Sequence, residues 1–71
     1  MDVKTAADLA RQHIADVFAA DPSDIRLESW LYDDHLMVWS LTLGFAQSNI
    51  GLTRKVVRVS EANKCVLSVS N

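Results

Sequence analysis

The chain has 71 residues, of which 49% are hydrophobic and 23% are charged, a composition typical of a globular domain. This length allows a single domain, residues 1–71, and excludes a two-domain enzyme, a full dinucleotide-binding fold or a cleft between two lobes. The net charge of −2 is unevenly distributed. Residues 1–36 carry three basic and eight acidic side chains (−5), and residues 37–71 carry four basic and one acidic side chain (+3). Nucleic-acid-binding proteins usually carry a basic surplus, so this charge does not favour a nucleic acid as partner.

The sequence shows no export or membrane-spanning pattern. Met1–Lys4 lacks the basic-then-apolar layout of a signal peptide. No apolar run reaches the roughly 18–20 residues that a helix needs to cross a bilayer. A single cysteine, Cys65, cannot form an internal disulfide. These features predict a cytoplasmic protein that does not associate with membranes.

An amphipathic helix is predicted at the start of the chain, because apolar residues recur at spacings of three and four. The residues on this stripe are Val3, Ala6, Ala7, Ala10, Ile14, Val17 and Phe18. Thr5 and Asp8 fit a capping box, with Asp2 as an alternative cap three residues earlier. Pro22 disfavours helical conformation at Asp21, so the helix is expected to stop there. The small alanine side chains suit close packing on a sheet.

After the helix the apolar period changes to two, which indicates strands. In the first strand Ile25, Leu27 and Leu31 alternate with polar or aromatic residues, and Asp33-Asp34 follows as a tight turn. The second strand is the longest, and five large apolar side chains share one of its faces. They are Met37, Trp39, Leu41, Leu43 and Phe45. We expect this strand to be the centre of the core.

The rest of the chain completes a meander. Its predicted elements are a loop over Ala46–Gly51, a strand over Leu52–Ser60, a hairpin turn over Glu61–Lys64 and a strand over Cys65–Val69. Ser48, Asn49 and Gly51 are turn formers, and Asn63 tolerates the left-handed conformation that a hairpin turn needs. Because short connections force antiparallel pairing, the predicted fold class is α+β. It has two layers, with one N-terminal helix on a four-stranded antiparallel β-meander.

The facing of the third strand depends on two adjacent valines. Val56 and Val57 are both apolar, so a slip of one residue would exchange the two faces of the strand. The slipped register would turn Arg54 and Arg58 toward the helix as unpaired charges, which is costly. We therefore predict that Val57 and Val59 point inward.

The sequence contains no convincing catalytic or metal-binding constellation. His13 on the helix flank is expected to be partly buried, and His35 beside Asp33 and Asp34 is typical of a solvated turn. The histidines and Cys65 lack the spacing of ligands that converge on a metal ion. Cys65 lies in a valine-rich strand, which favours a buried or half-buried thiol over a nucleophile. No glycine-rich phosphate loop is present. We expect no enzyme activity, no cofactor, no metal site and no small-molecule substrate.

The candidate functional surface is the face of the sheet that a single helix leaves uncovered. If Ile25, Leu27 and Leu31 face the helix, the residues between them face away. The predicted interface residues on this outer face are Trp30, Tyr32, Val38, Arg54, Val56 and Arg58. Tryptophan, tyrosine and arginine are enriched among the residues that dominate binding at protein interfaces. The alternative is that Trp30 and Tyr32 only shield the sheet by packing across strands against Val38 or Val56.

Lys55–Val69, with its strand, turn and short Val-Leu strand, resembles the closing hairpin of PepSY-like domains, and Val38–Leu43 resembles the central strand of that family. The N-terminal helix also occupies the place expected for the family. The sequence departs from the family at Ser60, where Asp is favoured, at Lys64, where Gly is favoured, and in lacking the signal peptide of many members. The resemblance implies a non-catalytic module that binds or inhibits a protein partner, and it supplies no active-site residues.

These features support one leading hypothesis and two alternatives. The leading one is a small protein-binding or inhibitory module that acts through the open sheet face or a sheet edge. The small size and the absence of catalytic groups fit an inhibitor of a larger enzyme that is encoded by a phage or mobile element. The first alternative is a homodimeric structural or accessory protein. The second, from a different class, is a nucleic-acid-binding accessory that uses Arg54, Lys55 and Arg58, although the acidic first half of the chain disfavours it.

Overall fold

In a computed structural model, which describes residues 1–47 and 50–71, the chain forms one α-helix, a short 3₁₀ helix and four β-strands. Their bounds are α1 Val3–Phe18, the 3₁₀ helix Pro22–Asp24, β1 Arg26–Asp33, β2 Val38–Gln47, β3 Gly51–Ser60 and β4 Cys65–Ser70. The strands form an antiparallel sheet in the order β1-β2-β3-β4. This arrangement confirms the predicted α+β fold of a helix followed by a meander.

The ends of α1 are set by one side chain and one backbone conformation. Of the two predicted caps, Asp2 is the one that forms, because its Oδ1 accepts a hydrogen bond from the Thr5 amide at 2.9 Å. This hydrogen bond favours the carboxylate and lowers the pKa of Asp2. The helix ends at Phe18, and Ala19 takes a left-handed conformation with φ of 55°. Pro22 then starts the 3₁₀ helix.

The helix packs its alanine-rich face on β2, β3 and β4. Its buried residues are Ala6, Ala7, Ala10 and Ile14. Val17, predicted on the buried stripe, is instead 58% exposed. The reason is that Phe18 makes the contact at this end of the helix, where its ring centroid lies 5.3 Å from that of Phe45.

The core lies between α1 and the inner face of the sheet, which is the face toward the helix. Its fully buried strand residues are Leu41, Leu43 and Phe45 of β2 and Val57 and Val59 of β3. Direct cross-strand partners share a face, and Leu41 pairs with Val57. The prediction that Val57 and Val59 point inward is therefore confirmed, as is the central position of β2.

Two turns differ from the sequence prediction. Met37, predicted in the core strand, has φ of 55°, belongs to the β1–β2 turn and is 46% exposed, so β2 begins at Val38. In the β3–β4 turn the positive φ of 52° belongs to Lys64 and not to Asn63. The Lys64 amide donates to the Ser60 carbonyl at 2.9 Å, which closes that turn.

The connection between β2 and β3 is shorter than the predicted loop over Ala46–Gly51. β2 continues to Gln47, and β3 starts at Gly51. Gly51 has φ of 88°, a conformation that glycine adopts without a steric penalty. The predicted turn formers Ser48 and Asn49 lie outside the described residues.

Candidate functional site

A β-bulge at Glu28 sets the facing of β1. Leu27 pairs with Leu43 and Ser29 pairs with Thr42, so Glu28 is an extra residue between two regular pairs. Because side chains alternate between the two faces of a strand, this extra residue reverses the facing of every later residue of β1.

The predicted positions of Trp30 and Tyr32 on the outer face are therefore wrong. Trp30 and Tyr32 pair with Leu41 and Trp39, which places both aromatic side chains on the inner face. Leu31, predicted to face the helix, lies on the outer face and is 69% exposed. The bulge thus exchanges two aromatic side chains for a leucine on the uncovered side of the sheet.

The other four predicted interface residues do lie on the outer face. They are Val38, Arg54, Val56 and Arg58. The two valines are half-buried and the two arginines are exposed. The Arg54 Nε donates to Glu28 Oε1 at 2.6 Å. Gly44 leaves room for this carboxylate, because a Cβ at that position would clash with it.

Three exposed leucines surround a depression of about 380 Å³ on the outer face. Leu31 comes from β1, Leu36 from the β1–β2 turn and Leu67 from β4, and they are 69%, 68% and 52% exposed. Val38 and Arg58 also line the depression. We call these five residues the leucine surface. The sequence predicted Val38 and Arg58 as interface residues but missed the three leucines.

Arg58 gives the leucine surface a positive charge. Within residues 1–47 and 50–71 it forms no ion pair, unlike Arg54. Asp33 also lines the depression and carries a negative charge, and its Oδ1 accepts from the amides of His35 and Leu36 at 2.9 and 3.1 Å, which holds that carboxylate at the β1–β2 turn. An arginine among exposed apolar side chains suits a carboxylate that is itself flanked by apolar groups.

Tyr32 belongs to an aromatic cluster on the inner face. Its ring centroid lies 4.7 Å from that of Trp39. The Trp39 Nε1 donates to Glu61 Oε1 at 3.3 Å, and Glu61 Oε2 accepts from the amino group of Met1 at 2.6 Å. Burial and then the Glu61 charge raise the pKa of Tyr32, and the hydrogen bond from Met1 lowers the pKa of Glu61. The alternative prediction, packing of Tyr32 against Val38 or Val56 on the outer face, is also wrong, because Tyr32 packs across strands against Trp39 on the inner face.

The three basic residues of the nucleic-acid hypothesis do not share one surface. Arg54 and Arg58 lie on the outer face. Lys55 lies on the inner face, where its Nζ is 5.7 Å from the ring centroid of Phe18 and donates to the side chain of Asn71. The positive charge is therefore divided between two sides of the sheet, one arginine being already paired.

The histidines and the cysteine are separated in the fold. His13 is half-buried on α1, and His35 is exposed in the β1–β2 turn. Cys65 is exposed, contrary to the prediction, because it opens the edge strand β4 opposite Ser60 on the outer side. Among the residues that the structure describes, no three His, Cys, Asp or Glu side chains are grouped so as to hold a metal ion.

A wider groove of about 880 Å³ lies at the other end of the sheet, between the end of α1 and the ends of β2 and β3. Arg54 and Glu28 in its wall pair with each other. Asp21 accepts from the amide and hydroxyl of Ser23, and the amide hydrogen bond chiefly lowers the pKa of Asp21. The lining of the groove includes Gln47 and Ile50. The leucine surface, in which Arg58 has no ion-pair partner among the described residues, is the stronger candidate site.

Comparisons with known proteins find no relative of this chain. No family model matches the chain, and no curated protein or solved structure is significantly similar to it. In the described residues, no helix combines the length and apolar character needed to cross a membrane. The PepSY-like resemblance stays a prediction, and a functional proposal rests on the leucine surface.

Proposed function

We propose that this protein is a non-catalytic binding domain whose leucine surface holds an apolar, carboxylate-bearing segment of a partner protein. The observation that carries the proposal is the position of Arg58 among three exposed leucines on the sheet face away from α1. Exposed apolar patches with a polar rim mark interaction sites in soluble proteins. An arginine there recognises a carboxylate through paired hydrogen bonds. An inhibitory effect on the partner stays a prediction from the PepSY-like resemblance.

The strength of the interaction follows from the exposure of the leucines. Fully burying a leucine side chain contributes about 1.5–3 kcal/mol. Leucines that are 52–69% exposed therefore retain roughly 1–2 kcal/mol each to gain. A hydrogen bond from Arg58 to a carboxylate adds about 1.5–3 kcal/mol. Because association costs about 4 kcal/mol or more, one leucine surface supports weak binding, and a second contact would be needed for high affinity.

Selection from a random peptide library against the immobilised protein tests this proposal. Enriched peptides should contain Asp or Glu flanked by Leu, Ile or Phe, and their binding should shift the amide NMR signals of Leu31, Leu36 and Leu67. Peptides without an acidic residue, or signal shifts centred on the wider groove, would contradict the proposal.

Two variants sharpen the selection experiment. Arg58→Glu should reverse the charge preference, so that Lys or Arg replaces the acidic residue in the enriched peptides. Leu52→Lys is the matched control, because Leu52 is 69% exposed but lies outside the leucine surface. This control should select the same peptides as the unmodified chain. An unchanged preference in Arg58→Glu would exclude Arg58 as the recognition residue.

A further inference from the structure

β1 presents a side to which another strand can add. In the described part of the chain no strand lies beside β1 on its side away from β2, and we call this side the open edge. The helix packs on β2, β3 and β4, and six of the eight residues of β1 are exposed. Trp30 is 55% exposed on the inner face and Leu31 is 69% exposed on the outer face. An edge strand with exposed apolar residues is a template for pairing with another strand.

The direction of the peptide groups in β2 follows from one hydrogen bond. The Met37 carbonyl accepts from the Glu61 amide at 2.9 Å, on the side of β3. In a strand the N–H and C=O of one residue point to the same side, and those of the next residue point to the other side. The N–H and C=O of Val38 therefore point to β1. Val38 pairs with Asp33, so the N–H and C=O of Asp33 point to β2.

The same alternation continues along β1. Leu31 lies two residues before Asp33 and pairs with Ser40 of β2, so its N–H and C=O also point to β2. The N–H and C=O of Trp30 and of Tyr32 therefore point to the open edge. These two residues supply the donors and acceptors that a further strand would use.

We propose that a second copy of this chain pairs antiparallel with the open edge, with Leu31 on the two-fold axis. In this register Trp30 lies opposite Tyr32 of the second copy, and Ser29 lies opposite its Asp33. Trp30 and Tyr32 exchange backbone hydrogen bonds across the axis, and their side chains meet on the inner face. The two copies of Leu31 meet on the outer face. Aromatic and aliphatic cross-strand pairs of this kind stabilise sheets.

The neighbouring registers give less favourable cross-strand pairs than the register centred on Leu31. A shift of one residue places inner-face side chains opposite outer-face side chains, which antiparallel pairing does not permit. Centring the axis on Trp30 brings the bulged Glu28 opposite Tyr32 of the second copy. Centring it on Tyr32 places Leu31 opposite a charged Asp33. The register centred on Leu31 keeps regular, face-matched pairing over Ser29–Asp33.

This dimer goes beyond the proposed function, because it depends on the open edge and not on Arg58. The two-fold axis of an antiparallel pair within a sheet is perpendicular to that sheet, so both helices lie on its inner side. The two leucine surfaces then lie together on the outer side, joined at Leu31. A partner with two binding segments would gain affinity from such a pair without any new contact.

Charge substitutions at Leu31 test the register by sedimentation equilibrium. The unmodified chain should dimerise, and Leu31→Lys or Leu31→Glu alone should raise the dimer Kd at least tenfold, because like charges then lie opposite each other. An equimolar mixture of the two variants should restore the dimer. Leu52→Lys, a change at an equally exposed leucine on β3, should dimerise as the unmodified chain does. A chain that stays monomeric up to about 1 mM, or a mixture that stays monomeric, would overturn the proposal.

Trp30→Pro distinguishes failure of this dimer from failure of the proposed function. The Trp30 amide points to the open edge, so proline removes no hydrogen bond within the sheet but removes one from each copy in the dimer. The variant should be a monomer that still binds the selected peptides, whereas Trp30→Thr keeps the amide and should still dimerise. Should Trp30→Pro not fold, the Leu31 mixture decides the question. A folded Trp30→Pro that dimerises normally would contradict the pairing.

Hydrogen exchange of the unmodified chain gives a direct readout of the same contact. The amides of Trp30 and Tyr32 should exchange more slowly as protein concentration rises, because they become hydrogen-bonded in the dimer. The Leu31 amide points to β2 and should be protected at every concentration. Exchange at Trp30 and Tyr32 that is independent of concentration while a dimer forms would place the interface elsewhere.

Discussion

Deleting Glu28 should leave the fold intact, although it removes a residue from within a strand. Glu28 is the extra residue of the bulge, so its removal joins Leu27 directly to Ser29 in a regular ladder. The partners of these residues remain Leu43 and Thr42, and no core side chain changes face.

The energetic effect of this deletion is small because the ion pair that it removes is open to solvent. The Glu28–Arg54 ion pair joins side chains that are 33% and 66% exposed, and solvent screening limits such a pair to about 0.2–1 kcal/mol. Regular pairing replaces the bulge. We expect the free energy of unfolding to change by no more than about 1 kcal/mol, against a total of about 4–11 kcal/mol for a chain of 71 residues.

Urea unfolding followed by tryptophan fluorescence measures this change. Deletion of Thr42 is the matched control, because β2 and β3 pair without a register shift and the loss of one residue would turn core leucines outward. The control should not fold, since exposing even one buried leucine costs about 2–5 kcal/mol. A loss of more than about 2 kcal/mol on deletion of Glu28 would refute the assignment of the bulge.

Four further outcomes are expected. Leu41→Ala should lower the free energy of unfolding by about 2–5 kcal/mol in urea, because Leu41 is fully buried; a smaller loss would mean that the site is not packed as described. The Thr5 amide lowers the pKa of Asp2, so Asp2 contributes stability at pH values above its unfolded pKa of 3.8, and this stability is lost as the pH falls through the folded pKa. Asp2→Asn keeps a cap and should make the urea midpoint less dependent on pH below about pH 4. Lys64→Gly should raise the free energy of unfolding by up to about 1 kcal/mol by removing a side chain from a positive φ, whereas Asn63→Gly should not; equal effects would contradict the turn geometry. Absorbance titration should place the pKa of the chain's single tyrosine, Tyr32, above its ordinary value of 10.0 in the folded state and return it there in urea, and a midpoint at or below 10.0 would argue against its burial beside Trp39.

The elements with one uninterrupted period were predictable from the sequence. α1 and β2 each show a single apolar spacing, and the buried position of Leu41 follows from it. In β3, with two adjacent valines, the inward facing of Val57 and Val59 follows from the cost of burying arginines. β1 was assigned to the correct segment with the wrong facing beyond Glu28. Within β1 itself no residue marks the bulge, because a glutamate in a strand looks like any exposed position. Gly44 was the available signal, since an isolated glycine within a strand indicates a bulge or a close approach.

The candidate site was predicted less well than the fold for a related reason. Val38 and Arg58 follow from alternation on β2 and β3, and both lie on the leucine surface. Alternation along β1 without the bulge places Leu31 on the inner face, which is wrong. Leu36 lies in a turn and Leu67 lies at the register shift of β4, where no period applies. Hydropathy favours placing leucines in a core, so exposed leucines become visible when tertiary packing is known.

The strands lie in the sheet in the same order as in the sequence, and this has a consequence for how the molecule folds. Each strand pairs with the one that precedes it, so the whole sheet can form through successive hairpins with short loops to close. α1 is different, because the surface on which it packs includes β3 and β4, at the far end of the sequence. The helix is the first element along the chain, yet we expect it to be the last to reach its native position.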